Sequence, residues 1–140
     1  MSETILRKCI YLKAEPAEVW AWLTEPEKLA VWFHAPKAPL AAGQPLALFG
    51  ATSGDKLIWG EVRVARPYEY LEYTFTIKHM QGADSLVKWT LEKVPGGTRL
   101  SLEHSGLAES GDQFDVAIML DEGWEEHMAS LRKAVHLVPA

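Results

Sequence analysis

The sequence predicts an α+β fold in which a curved antiparallel sheet grips a long C-terminal helix. Three observations predict it. Apolar and polar residues alternate with a period of two through successive segments between Ile58 and Glu103, the signature of strands buried on one face only. From about Asp112 to Leu137 the period changes to that of a helix, with Ala117, Leu120, Trp124, Met128, Leu131 and Val135 in one stripe. No helical segment separates the strands, so they join as hairpins and cannot form a parallel sheet.

Thr4 to Leu12 is short and rich in branched residues, and reads as a first strand that stops at Ala14-Glu15-Pro16. Pro16 suits a first helical turn, and Val19, Trp20 and Leu23 form a stripe on the helix that follows. Thr24-Glu25-Pro26 ends that helix and opens a second one carrying Leu29 and Trp32. The Pro-, Gly- and Ala-rich stretch from Ala35 to Gly54 holds at most one short strand, around Pro45 to Phe49.

Beyond it, Ile58, Gly60, Val62 and Val64 alternate with Trp59, Glu61 and Arg63, and Leu71, Tyr73, Phe75 and Ile77 with Glu72, Thr74, Thr76 and Lys78. Val87, Trp89 and Leu91 continue the inner face, then Leu100 and Leu102 after a turn at Pro95-Gly96-Gly97. A helix over Asp112 to Leu137 would be roughly 40 Å long at 1.5 Å per residue. Laid across a twisted sheet it cannot touch every strand equally, so one end of the wedge beneath it is expected to stay open as a pocket.

With 140 residues, the chain is expected to form one domain over 1–140, and folding could bury roughly 70% of its extended surface. The net charge of −5 and the scattered lysines and arginines offer no concentrated positive patch, which argues against nucleic acid and anionic membranes as partners. Arg132-Lys133 is favourable charge in the last turns of a helix. Single Cys9 excludes an internal disulfide or a multi-cysteine zinc site, and the expected location is a reducing, cytoplasmic one. The N-terminus, alternating through Ile5-Leu6-Arg7-Lys8-Cys9-Ile10, has neither a signal-peptide core nor a membrane span.

These elements also carry a resemblance that spans nearly the whole chain. Pro16, Val19-Trp20, Leu23-Thr24, Pro26-Glu27, Leu29 and Trp32 are followed by Gly60-Glu61-Val62, Pro67 and Leu71, then Thr98-Arg99-Leu100, His104-Ser105-Gly106-Leu107, Gly123-Trp124 and Leu131. In order and spacing the sequence resembles the START-like or SRPBCC superfamily, in the branch named for the C-terminal domain of the Hsp90 ATPase activator (AHSA1-like). The resemblance implies a helix-grip fold, of the START-like or Bet v 1-like kind, with order β-α-α-β-β-β-β-β-α and a central cavity. It also implies a superfamily spanning lipid carriers, hormone receptors, polyketide cyclases and co-chaperone domains, so activity has to be argued from the site. Where the pattern often has a double glycine, this chain has Ala41-Ala42-Gly43-Gln44-Pro45, which alters the geometry expected at that mouth of the pocket. Activating co-chaperones usually carry a further N-terminal domain; this chain is expected to lack one, which directs attention to the cavity.

The expected ligand is a small apolar or aromatic molecule. Its wall would be Trp32, Phe49, Tyr73, Phe75, Trp89, Trp124 and Met128, with His79, His104 and Asp121 as polar anchors, because an apolar pocket with a few convergent polar groups is the usual anatomy of such a site. His127 borders the other edge of the helix stripe from Asp121. An alternative makes His79, His104 and Asp121 the acid and base groups of a cyclase or dehydratase. A third uses the outer sheet face, with Trp59 as anchor for a subunit contact in a homodimer or for a chaperone. No metal or other cofactor is expected: Glu122, Glu125 and Glu126 project away from the apolar stripe, so they form a solvated face. Ser105 and Ser110 lack a nucleophile elbow, and Cys9 faces outward without a histidine nearby in sequence, so neither chemistry is assigned a catalytic residue.

Overall fold

The computed structural model describes residues 4–50, 53–78, 84–107 and 112–137. In chain order the elements are β1 (Thr4–Leu12), α1 (Pro16–Thr24), α2 (Pro26–Trp32), β2 (Pro45–Phe49), β3 (Lys56–Arg66), β4 (Tyr70–Ile77), β5 (Ser85–Val94), β6 (Gly97–Leu107) and α3 (Asp112–Leu137). The strands form one antiparallel sheet in the order β1-β6-β5-β4-β3-β2. The chain therefore has the helix-grip fold.

Both short helices begin on proline at the first helical position, where a missing N–H leaves nothing unsatisfied. They are tied together by the Trp32 indole N–H, which donates to the Trp22 carbonyl at 2.9 Å. On α1 the buried apolar residues are Val19, Trp22 and Leu23, whereas Trp20 is only partly buried, a correction to the stripe expected from sequence. Positions 19, 22 and 23 share a helical face as readily as 19, 20 and 23. The choice between them is made by α2, which packs beside α1 and covers the Trp22 side.

Leu71, Tyr73, Phe75, Val87, Trp89, Leu91, Leu100, Leu102 and His104 line the inner face of the sheet, all buried. Above them α3 buries Ala117, Leu120, Trp124, Met128, Leu131 and Val135, packing chiefly on β1 and α2. At its far end the Lys13 backbone N–H donates to His136 Nε2 at 2.9 Å, holding the helix terminus to the β1–α1 link. The contact with β1 and α2 leaves the N-terminal half of α3 as the part that stands over β3 and β4.

The sheet bends where β3 crosses β4. Cα pairing runs from Trp59↔Thr76 to Val62↔Tyr73, with a register shift just beyond, and the Glu61 N–H donates to the Thr74 side-chain Oγ1 at 2.8 Å. Gly60 makes this approach possible, since a Cβ there would stand 2.2 Å from the Thr74 carbonyl oxygen. Trp59 lies on the outer face in register with Ala47 and Thr76 and is half-buried, not exposed. Gly60→Ala is expected to destabilise the fold by at least about 2 kcal/mol, read as a lower urea midpoint, because only the backbone of β4 could yield.

Candidate functional site

The middle of the grip is filled by rings. Trp32 and Trp124 both meet Trp89 edge-on, with centroids 6.0 and 5.5 Å away, a favoured aromatic geometry. The Trp89 indole N–H donates to the Tyr73 hydroxyl at 3.0 Å, and burial raises the Tyr73 pKa well above its ordinary value. Met128 closes the block from α3, only 2% exposed. These four side chains and Trp32, expected as the wall of a central cavity, instead form a solid interior there.

A buried polar chain anchors this block to the sheet. The Trp124 indole N–H donates to His104 Nδ1 at 2.9 Å, and Ser85 Oγ, 2.7 Å from His104 Nε2, donates to the Phe75 carbonyl at 2.7 Å. Since Nδ1 accepts and the serine proton is already used, Nε2 must carry hydrogen, which fixes a neutral imidazole in one tautomer. Burial pushes His104 down to a pKa of about 3. With both ring nitrogens engaged and no exposed surface, His104 has no free atom to offer a ligand or a reacting group.

Beyond Trp124 the wedge opens into a cleft of about 520 Å³. Phe75 and Trp124 lie at its base, Ile58 and Ile77 belong to the strand side, and Met119, Leu120, Gly123 and His127 come from α3. Phe33 and His34 close a third side. They are held there because the Phe49 N–H donates to the Ala35 carbonyl at 3.0 Å, stitching the chain after α2 onto the end of β2. Asp55, Lys56, Leu57 and Lys78 complete the mouth.

Two aromatic rings and two imidazoles meet on the α2 side. Phe33 lies 5.2 Å from Trp124, 5.0 Å from His34 and 4.9 Å from His127, centroid to centroid. His34 and His127 face each other edge-on at 5.6 Å. His127 Nδ1 is 3.0 Å from the Trp32 carbonyl; a carbonyl can only accept, so Nδ1–H donates and Nε2 keeps its lone pair. Burial lowers both pKa values, assisted at His34 by its neighbour His127 and opposed at His127 by the Trp32 bond and Glu126. Both imidazoles are therefore neutral acceptors or donors at neutral pH.

Of the residues expected from sequence, the cleft brings together Phe75 and Trp124. Trp32, Tyr73, Trp89, His104 and Met128 lie in the packed block behind them. Phe49 lines a separate hollow of about 330 Å³ on the other side of Phe33 and His34, where the Lys37 ammonium sits 4.9 Å from its ring. Asp121 is outside the cleft and bonds Lys8 Nζ on β1 at 2.8 Å. His79 lies outside the described residues. The Ala41 to Pro45 turn is not at the cleft: Pro45 pairs with Glu61, at the opposite end of β2 from Phe49 and Lys56. His34 was not singled out by any periodicity, and its one signal was the run Trp32-Phe33-His34 at a helix end. Among the described residues no group of three or more His, Cys, Asp or Glu could hold a metal ion, and no helix is long and apolar enough to cross a membrane.

A one-sided sheet gripping a long helix, with an aromatic-floored cleft at one end, defines a helix-grip domain of the START-like, SRPBCC class. Within that class, residues 13–136 match the family described as Activator of Hsp90 ATPase homolog 1-like protein, and the chain belongs to it. No curated protein gives a significant match. Protein MLL2253 from Mesorhizobium loti is similar in structure, with a TM-score of 0.84 and 24% identity over 98% of this chain and 100% of that one. CalU16 from Micromonospora echinospora has a TM-score of 0.75 and 24% identity, covering 99% of this chain and 86% of that one. The Aha1 dimer from Colwellia psychrerythraea has a TM-score of 0.77 and 19% identity, covering 96% and 97%. At such identities these likenesses establish the fold alone.

The buried His104 makes stability depend on pH. Its pKa falls from 6.5 in the unfolded chain to about 3 in the folded one, so between those values the unfolded chain binds more protons. The stabilisation is complete above about pH 7 and is lost as pH drops through that window, by on the order of 5 kcal/mol in total. Urea midpoints measured from pH 8 to pH 4 should be flat at first and then fall steeply. In His104→Leu, starting from a lower stability, the fall should be visibly shallower.

Proposed function

We propose that the protein binds a small apolar or aromatic molecule in the cleft between Trp124 and the ends of β3 and β4. The observation that carries this reading is the glycine on the cleft wall. Gly123 lies inside α3, where glycine is about 1 kcal/mol less favourable than alanine, yet a Cβ at this position would meet nothing within 4 Å. No neighbouring backbone demands its absence; what a larger residue would take is the room in front of Trp124. A cleft of about 520 Å³ is of the size usual for small-molecule sites, and its floor is two aromatic rings. Leu57 and Met119 add exposed apolar surface at the rim, the kind of surface that soluble proteins keep mostly where something covers it.

The family to which the chain belongs is compatible with this function without specifying it. A helix-grip domain alone does not choose between a carrier, an enzyme and a protein partner. The cleft favours the carrier reading over the acid–base one, because His104 is sealed and Asp121 is turned to β1.

Gly123 gives the test. A library of apolar and aromatic compounds should contain members that raise the melting temperature of the wild-type protein by ligand linkage. Gly123→Ala should add about 0.5–1 kcal/mol of stability while still showing those shifts. Gly123→Phe, which fills the space before Trp124, should fold and lose them. Absence of any shift in the wild type, or full shifts in Gly123→Phe, would reject the cleft as the binding site.

A further inference from the structure

The charges around the cleft run against those of the whole protein. The chain carries a net charge of −5, yet the charged residues at the cleft are Lys56, Lys78 and a single acid, Asp55. Among the described residues neither lysine is engaged in an ion pair; the five bridges found involve other cations. Both are exposed at the end of the apolar walls. Opposite them, His127 Nε2 has a lone pair and, among the described residues, no protein donor, its Nδ1–H being committed to the Trp32 carbonyl.

We propose that the cleft selects molecules whose apolar body ends in a carboxylate, with Lys56 and Lys78 receiving the negative charge and His127 Nε2 taking up one proton from solvent as the ligand seats. This rests on the preceding reading that the cleft binds an apolar molecule, and adds the ligand's chemical class. The apolar body lies over Phe75 and Trp124, where no charge can be solvated, so a carboxylate has only the mouth and the imidazole side to occupy. There it can accept from the lysine ammonium groups and, once His127 is protonated, from Nε2–H. The proton leaves Nδ1–H in place, so the anchor to α2 is not broken.

Several groups bear on that protonation. His34 faces His127 edge-on and opposes a charge there, and Glu126 on α3 favours it. Asp55 and Lys56 at the start of β3 and Lys78 after β4 act from the far wall with opposite signs. In the free protein burial keeps the imidazole neutral. A bound carboxylate supplies the missing counter-charge, raises the pKa, and so couples affinity to pH.

Titration calorimetry with 2-naphthoate and decanoate, each against its neutral alcohol, 2-naphthalenemethanol and 1-decanol, tests the proposal and separates an aromatic acid from an alkyl one. Both carboxylates stay ionised from pH 8 to pH 6, as carboxylic acids titrate near pH 4. The acid that fits should bind roughly tenfold more tightly at pH 6 than at pH 8, with proton uptake visible in buffers of different ionisation enthalpy, and its alcohol should be indifferent to pH. His127→Gln keeps an N–H for the Trp32 carbonyl but cannot be protonated, so the pH dependence should vanish. Should that variant not fold, Lys56→Gln/Lys78→Gln serves instead, weakening the acid roughly fivefold and leaving the slope. Alcohols that bind as well as their acids, or acids that bind without a pH slope, would overturn the carboxylate proposal and leave the cleft reading standing. Failure of all four probes to bind would count against both.

Discussion

The hydrogen bond from the Trp124 indole to buried His104 is the constraint on which the rest of the architecture depends. It joins the one helix of the grip to β6, and through Ser85 the same chain ends on the Phe75 carbonyl in β4. A neutral imidazole with one nitrogen accepting and the other donating suits these partners, since a protonated ring would present a second N–H to a group that is itself a donor. Each link is desolvated, so removing one member leaves the others unpaired at a cost greater than the bond's net worth. The indole is thereby fixed in position as well as in burial, and the face it turns away from His104 becomes the end wall of the cleft.

That fixing also explains why the space under α3 is open at one end only. From Met128 to Val135 the helix stripe sits down on β1 and α2, and its residues are buried. Trp124 and Phe75, with ring centroids 5.9 Å apart, act as a wedge at the next turn. N-terminal to it Ala117 and Leu120 remain buried, while Phe114, Ile118 and Met119 are exposed. Gly123, immediately before the wedge, leaves the opening unobstructed.

What the sequence makes legible is whatever burial on one side imposes as a period. The order of elements, the strand β2 at Pro45 to Phe49 and all six positions of the α3 stripe could be read because alternation by two and by 3.6 records which face is dry. The same reading cannot say whether a buried ring fills space or borders it. Trp89 and Phe75 occupy equivalent inner positions on neighbouring strands, yet one lies in the packed block and the other at the edge of the cleft. Asp121 and His127 illustrate the second gap. They border opposite edges of the stripe, and periodicity treats those edges alike; only the sense in which α3 is docked sends position 121 toward Lys8 on β1 and position 127 toward the cleft. His34, in an irregular segment held by the Ala35 to Phe49 bridge, has no period to betray it.

Stability and recognition consequently reside in different parts of one core. The packed side consists of β1, β6 and β5, the C-terminal half of α3, and the two short helices, where the indoles of Trp32, Trp89 and Trp124 each find an acceptor inside the protein. The open side consists of the ends of β3 and β4, the N-terminal half of α3 and the chain from Phe33 to Ala35. Among the described residues, the polar side chains of the cleft itself are two imidazoles and a few exposed charges, of which His127 Nδ1 satisfies a buried partner. Side chains on the open side can thus change size or charge without unpairing the interior, whereas an exchange on the packed side disturbs a desolvated bond. Trp124 and Phe75 belong to both halves, the indole N–H and the Phe75 carbonyl in the buried chain and both rings in the cleft, so the geometry of the site is set by the same atom contacts that hold the helix to the sheet.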